Sequence, residues 1–204
     1  TGPSLPSIVT YGTAIAVGGK ILLVGGYNGS QYINQVLELD PATNQWSQKA
    51  SVPTLRHALK LVLWEGKVWA IGGNDVTDSS KVEIYDPVTD SWATGPSISQ
   101  ARHWHSTWVA NDRIYVAGGY DANTNSTLNS IEVYKPSVNE WSFAGTLPEN
   151  KFCTAAVVLD DKVYVVAGGA AINDHSNKVY ASDLIPHRDL YFHEAVAGED
   201  NASQ

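Results

Sequence analysis

The chain has 204 residues, of which 43% are hydrophobic and 17% charged, with a formal net charge of −8. That length can bury one sizeable core. The acidic balance argues against a nucleic-acid partner, whose phosphates need a basic face, and no apolar run reaches the roughly 18 residues of a membrane helix. Cys153 is the single cysteine, so an internal disulfide is excluded.

In chain order, "TGPSLPS" (1–7) returns as "TGPSISQ" (94–100). "KILLVGG" (20–26) follows a Gly18-Gly19 turn and leads through a polar loop to "QVLEL" (35–39) and "DPATNQW" (40–46). The same succession recurs. "KVWAIGG" (67–73) follows Glu65-Gly66 and precedes "KVEIY" (81–85) and "DPVTDSW" (86–92). "RIYVAGG" (113–119) follows Asn111-Asp112 and precedes "SIEVY" (130–134) and "KPSVNEW" (135–141). "KVYVVAGG" (162–169) follows Asp160-Asp161 and precedes "KVYAS" (178–182) and "RDLYFHE" (188–194). The apolar runs carry β-branched and aromatic residues that suit strands. The turn pairs tolerate positive φ, as two-residue hairpins require. The unit is therefore four antiparallel strands, written four times. The extra Ala167 before Gly168-Gly169 reads as a one-residue bulge.

A sheet of this kind buries both faces only by stacking on its neighbours, and stacking around an axis gives a β-propeller. A glycine pair after four apolar residues, then an aromatic residue, then a Trp seven positions on, resembles the kelch repeat. Tyr85/Trp92 and Tyr134/Trp141 match in full, Leu39/Trp46 lacks the tyrosine, and the fourth copy lacks the Trp. The resemblance implies an all-β fold, a β-propeller of four-stranded antiparallel blades. The four kelch repeats (9–55, 56–101, 102–150 and 151–194) would then belong to a larger six- or seven-bladed ring. A closed four-bladed ring, and association with another chain to complete the ring, stay open. Thr1 aligns with Thr94, so residues 1–8 are expected to be the tail of a preceding blade. The polar stretch 195–204 is expected to be a flexible tail.

With strands named a to d from the axis outward, the d–a and b–c loops share one face. Val9, Arg56, Arg102 and Lys151 fall at one equivalent position there, at the start of strand a. The resemblance implies that arginines so placed can contact the carboxylates of an acidic ligand, for which the planar guanidinium is suited; holding the d–a turn is the structural alternative. The b–c loops add Tyr27, Asn28, Asn74, Asp75, Tyr120 and Asp121 as candidate binding residues. Lys20, Lys67, Arg113 and Lys162 ring the opposite face and read as solvated hairpin ends. His57, His103 and His105 lack the convergent partners of a zinc site. Asp121, Asn123, Asn125 and Glu132 have the spacing of a calcium loop, but Ser126 stands where that loop needs Gly. No catalytic residues, cofactor or metal are assigned. The expected function is non-catalytic binding of a protein or peptide partner, or of another ligand, at the d–a/b–c face. The alternatives are a carbohydrate-active enzyme of the sialic-acid mutarotase type and a repeat scaffold for self-assembly.

Overall fold

The computed structural model describes residues 2–75, 79–171, 174, 176–184 and 190–195. Asn173, which the b–c loop of the fourth repeat is expected to contribute to the d–a/b–c face, residues 188–189 of the expected last strand and the tail from 196 onward lie outside this set.

Hairpin turns sit where the sequence supplies residues able to hold a positive φ. Glu65 and Gly66 have φ 48° and 73°, and Asn111 and Asp112 have 50° and 53°, the left-handed pair of a two-residue hairpin. The strands they join form four antiparallel sheets. Blade 1 holds β1 (Thr13–Val17), β2 (Lys20–Tyr27), β3 (Tyr32–Asp40) and β4 (Gln45–Lys49). Blade 2 holds β5 (Lys60–Trp64), β6 (Lys67–Ile71), β7 (Val82–Asp86) and β8 (Ser91–Thr94). Blade 3 is built from β9 (Ser106–Ala110), β10 (Arg113–Ala117), β13 (Ser130–Lys135) and β14 (Glu140–Thr146). Its b–c loop carries a small ribbon, β11 (Tyr120–Asp121) with β12 (Ser126–Thr127). Blade 4 consists of β15 (Ala155–Leu159), β16 (Lys162–Val166), β17 (Val179–Asp183) and β18 (His193–Glu194). Each sheet is ordered a-b-c-d, and β1, β5, β9 and β15 stand side by side, as the inner strands of a β-propeller.

Three apolar clusters fill the spaces between successive blades. Leu22, Leu59 and Tyr85 lie in the first, Ile71, Ile114 and Tyr134 in the second, and Trp108, Val163 and Phe192 in the third. At the rim, each outer Trp donates its indole N–H to the segment before the blade. Trp92 reaches the Ala50 carbonyl at 2.8 Å, Trp141 that of Pro96 at 2.9 Å, and Trp46 that of Pro3 at 3.4 Å. Residues just after Thr1 thus occupy the place that a preceding blade's outer tail takes elsewhere in the chain.

The glycine pairs are where blades meet backbone to backbone. A Cβ on Gly25, Gly72 or Gly118 would lie 2.5, 2.5 or 2.4 Å from the carbonyl oxygen of Arg56, Arg102 or Lys151 in the next blade. The second glycine of each pair donates its N–H to that same oxygen, at 3.0 Å (Gly26), 2.9 Å (Gly73) and 2.7 Å (Gly119). One glycine gives clearance and the other the hydrogen bond. The fourth copy corrects the expected bulge. Its β15–β16 ladder runs without a shift, and the bridge Phe152–Gly169 matches Thr10–Tyr27, His57–Asn74 and His103–Tyr120. Ala167, at φ 61°, therefore stands in the place of the first glycine. No later blade presses on it among the described residues.

His105 occupies the site that Leu59 fills one blade earlier; both are fully buried, and each lies under the preceding blade's first glycine. Neither ring nitrogen of His105 has a partner. Burial, with nearby Arg102 and Lys60, holds its pKa well below the usual 6.5.

Two predictions follow from these contacts. Gly72→Ala should cost more than about 2 kcal/mol in urea unfolding, because a backbone carbonyl must move, whereas Ala167→Gly should gain up to about 1 kcal/mol by relieving the left-handed alanine. His105→Leu should raise stability by about 1–3 kcal/mol, since two unsatisfied nitrogens leave the core. The unfolded histidine takes up a proton near pH 6.5 and the folded one does not. The wild type is therefore at full strength above that value and loses stability as the pH falls below it, a loss the leucine variant should lack.

Candidate functional site

Arg56 and Arg102 are fully buried, and their hydrogen bonds run inward, into their own blades. Arg56 donates from Nη1 to the carbonyls of Gly72 (2.6 Å) and Lys81 (3.1 Å), and from Nη2 to Ala70 O (3.1 Å) and Glu83 Oε2 (2.7 Å). Arg102 donates to the carbonyls of Gly118 (2.9 Å) and Ser130 (3.0 Å) and to Glu132 Oε1 (2.8 Å). Burial lowers the pKa of both guanidiniums, opposed by Glu83 and Glu132. The physical need is visible in blade 1. There β2 and β3 stay paired past the glycines, through Gly26–Ile33 and Tyr27–Tyr32, and the equivalent positions are Val9 and Leu37. In blades 2 and 3 the b–c ladder stops earlier, and arginine donates to the carbonyls around its end, of which Lys81 O and Ser130 O also accept the N–H groups of Gly72 and Gly118. Lys151, 1% exposed, pairs with Glu149 at 3.0 Å and lies over the Tyr180 ring.

The other candidate residues divide between turn and surface. Asn28 Oδ1 caps its own loop through the N–H groups of Ser30 and Gln31. Asp121 is buried and accepts from the Asn123 N–H and from Gln100 Nε2. Asn74 accepts the His57 N–H at 2.9 Å on its carbonyl, and Asp75 lies near enough to Arg56 to favour its charged form. Glu132, the last member of the calcium-like spacing, is committed to Arg102 and to the N–H groups of Ser99 and Gln100. Among the described residues, no group of three or more His, Cys, Asp or Glu is placed to hold a metal ion.

Tyr27 and Tyr120 belong to a larger feature. Tyr27 meets Tyr32 at 5.9 Å, and Tyr32 stacks on His57 at 4.5 Å and 14°. His57 reaches His103 at 6.4 Å, His103 meets Trp104 at 4.4 Å and Tyr120 at 5.5 Å, and both of these touch Phe152. Tyr11, 62% exposed, leans edge-on against His57. An aromatic band thus crosses all four blades on the d–a/b–c face.

The band is held by a relay of backbone bonds around the axis. Ala58 N–H donates to Tyr11 O (3.0 Å), Trp104 N–H to Ala58 O (3.2 Å) and Cys153 N–H to Trp104 O (2.8 Å). Tyr11, Ala58, Trp104 and Cys153 are equivalent positions, two residues after Val9, Arg56, Arg102 and Lys151, and all hold φ between 52° and 57°. A positive φ is costly for non-glycine residues. Here it recurs in every blade and turns Tyr11 and Cys153 to solvent. Lys60, where β5 begins, lies near Cys153 of blade 4. Burial pulls its ammonium pKa down and pushes the Cys153 thiol up, and each group partly offsets the other's shift. Lys60 forms no ion pair among the described residues.

Tyr11, Tyr32, Lys60, Trp104 and Phe152 were not among the expected site residues. For Phe152, and for Tyr11 and Trp104, the signal lay in the same gapless alignment, one column and two columns after the arginine position; Lys60, four columns on, and Tyr32, in a b–c loop, had no signal there.

A family model described as the KLHDC2/KLHL20/DRC7 Kelch-repeats domain matches residues 1–119, and a Kelch motif model matches residues 102–148. Kelch-like protein 42 of Homo sapiens and that of Mus musculus are each 39% identical over 71 residues, 34% of this chain and 14% of theirs. The match thus spans about a seventh of those relatives' length. A solved structure described as "Structure of YjhT" superposes with TM-score 0.82 over 96% of this chain and 67% of that one, at 19% identity.

Removing one partner of a buried ion pair strands the other. Arg102→Ala should therefore cost about 3–5 kcal/mol. The double variant Arg102→Val/Glu132→Leu, which copies blade 1, should recover at least half of that in a double-mutant cycle. Additive losses in denaturant titrations would contradict the pairing.

Proposed function

We propose, on the premise that this chain belongs to the kelch-repeat family of β-propellers, that it is a non-catalytic binding module. Its ligand would be an extended protein segment laid across the aromatic band. Kelch-like proteins in general serve as binding or scaffold modules. The observation that carries the finer reading is the continuous run of rings from Tyr27 to Phe152, in which His103 and Phe152 are buried and Tyr27, Tyr32, His57, Trp104 and Tyr120 are partly exposed, with Tyr11 and Trp104 on a common backbone relay. Aromatic rings offer large, rigid contact area at low entropic cost, which is what a peptide-binding hot spot needs.

Arg56, Arg102 and Lys151 serve in this reading as the frame beneath the band. Tyr27, Tyr120, Asn74 and Asp75 supply its edge, and Asn28 and Asp121 fix the loops. An acidic side chain on the segment would find its cation in Lys60: a partly buried ammonium with no ion-pair partner among the described residues gains more from a carboxylate than a fully exposed one does.

Peptide-library selection on the immobilised chain tests this. Enriched segments should be rich in apolar residues around an acidic one. Their affinity should fall at least about tenfold in Tyr11→Ser/Trp104→Ser, with an unchanged melting temperature. Enrichment that survives the double substitution would remove the band as the site.

A further inference from the structure

On the face opposite the aromatic band, where the a–b and c–d hairpins of blade 2 end, a cleft of about 320 Å³ opens. Its wall and floor are Trp64 and Trp69. The two rings cross at 76° with centroids 5.5 Å apart, and Trp64 also stands perpendicular to Tyr134 of blade 3 at 5.6 Å. Trp64 is thereby locked in orientation while remaining partly exposed. The equivalents of Trp64, each paired with the basic residue after the turn, are Val17, Ala110 and Leu159. The repeat needs no large ring there.

The space itself also differs from that in blade 1. Ile84 and Ala93 face each other across the outer strands. In blade 1 the corresponding pair is Glu38 and Ser47, and Lys20 bonds that glutamate at 3.0 Å. Blade 2 instead keeps its lysine and carboxylate at the cleft's rim. Lys67 Nζ is 3.4 Å from Asp86 Oδ2, and Asp86 Oδ1 is fixed by the N–H groups of Val88 (2.9 Å) and Thr89 (3.3 Å). These bonds hold the Asp86 carboxyl below its ordinary pKa, so it is an ionised acceptor with a set direction. The Ser91 hydroxyl and the Glu65 carboxylate complete the lining.

We propose that this cleft binds a neutral carbohydrate of one or two pyranose rings. The C–H face of a sugar would stack on Trp64, and neighbouring hydroxyls would donate to Asp86 and accept from Lys67. The volume falls at the small end of ligand sites. The formal charge of its rim, with Glu65 and Asp86 against Lys67, disfavours an anion. The Lys67–Asp86 pairing leaves little for a cation. A neutral polyol satisfies alternating donors and acceptors without stranding a charge. The site is independent of the aromatic band on the other face.

The test is ligand-observed saturation-transfer NMR, backed by tryptophan fluorescence titration, on the whole chain. The probes are methyl glucoside, methyl mannoside, lactose and maltose, with glucuronate, choline and a decaproline peptide as competing chemistries. At least one neutral glycoside should bind. Asp86→Asn should weaken it about tenfold. Ala93→Phe, which fills the cleft from an exposed position without touching the core, should abolish it, and Trp104→Ala on the far face should leave it unchanged. The proposal is overturned if no neutral glycoside binds, if binding persists in Ala93→Phe, or if glucuronate, choline or decaproline binds in preference.

Discussion

The contact on which this structure depends is a backbone one: the first glycine of each pair lies directly beneath the carbonyl of the residue that opens the next blade, and the second glycine bonds that carbonyl. Gly72 against Arg102 and Gly118 against Lys151 leave no room for a methyl group. Side-chain packing between blades is permissive, since Leu59 and His105 fill the same place. Backbone clearance is not permissive, and it sets how closely the blades approach. Beside the same glycine kink the b–c ladder continues in blade 1 and ends in blades 2 and 3, and where it ends the loop carbonyls take a further donor. Arginine meets that need with several donors from one planar group, and a strand-c glutamate balances its charge. Blade 1, with a longer ladder, does without both.

Once the frame is fixed in this way, the surface residues carry little structural duty. The relay from Tyr11 to Cys153 closes the inner edge with main-chain bonds at positive φ, so Tyr11, Trp104 and Cys153 can offer side-chain area toward solvent, while Ala58 stays buried. The aromatic band on one face and the tryptophan cleft on the other lie where side chains depart from what the repeat requires. Ala167 is a departure of the opposite kind. It stands in the glycine's place in the one blade that carries no following carbonyl among the described residues.

The kelch architecture was legible in the sequence because each of its constraints is local. A turn residue must hold positive φ, a strand must alternate, and a glycine must clear a neighbour; four copies let one reading check the others. The bulge at Ala167 was misread because an alanine in a left-handed position has no sequence signature. It took the register of β16 to show it. The arginine column was legible as a ring near the axis, but its direction was not. Whether Arg56 points out to a ligand or in to Gly72 depends on which carbonyls the kink exposes, and composition does not encode that. The aromatic band was missed for a related reason. Tyr32 and His57 stack only because two loops from different blades converge, and no single segment shows both. The cleft at Trp64 leaves no more trace in the sequence than one ring in a column that otherwise holds Val17, Ala110 and Leu159.

Amide hydrogen exchange, read residue by residue by NMR on the native chain, tests the glycine contact most directly. The N–H groups of Gly26, Gly73 and Gly119 should exchange as slowly as those of β6 and β10, through global unfolding alone, although all three lie in loops beyond the strands' cores or at their ends. Fast exchange at these three amides, with the strands still protected, would show that the blades are not joined there.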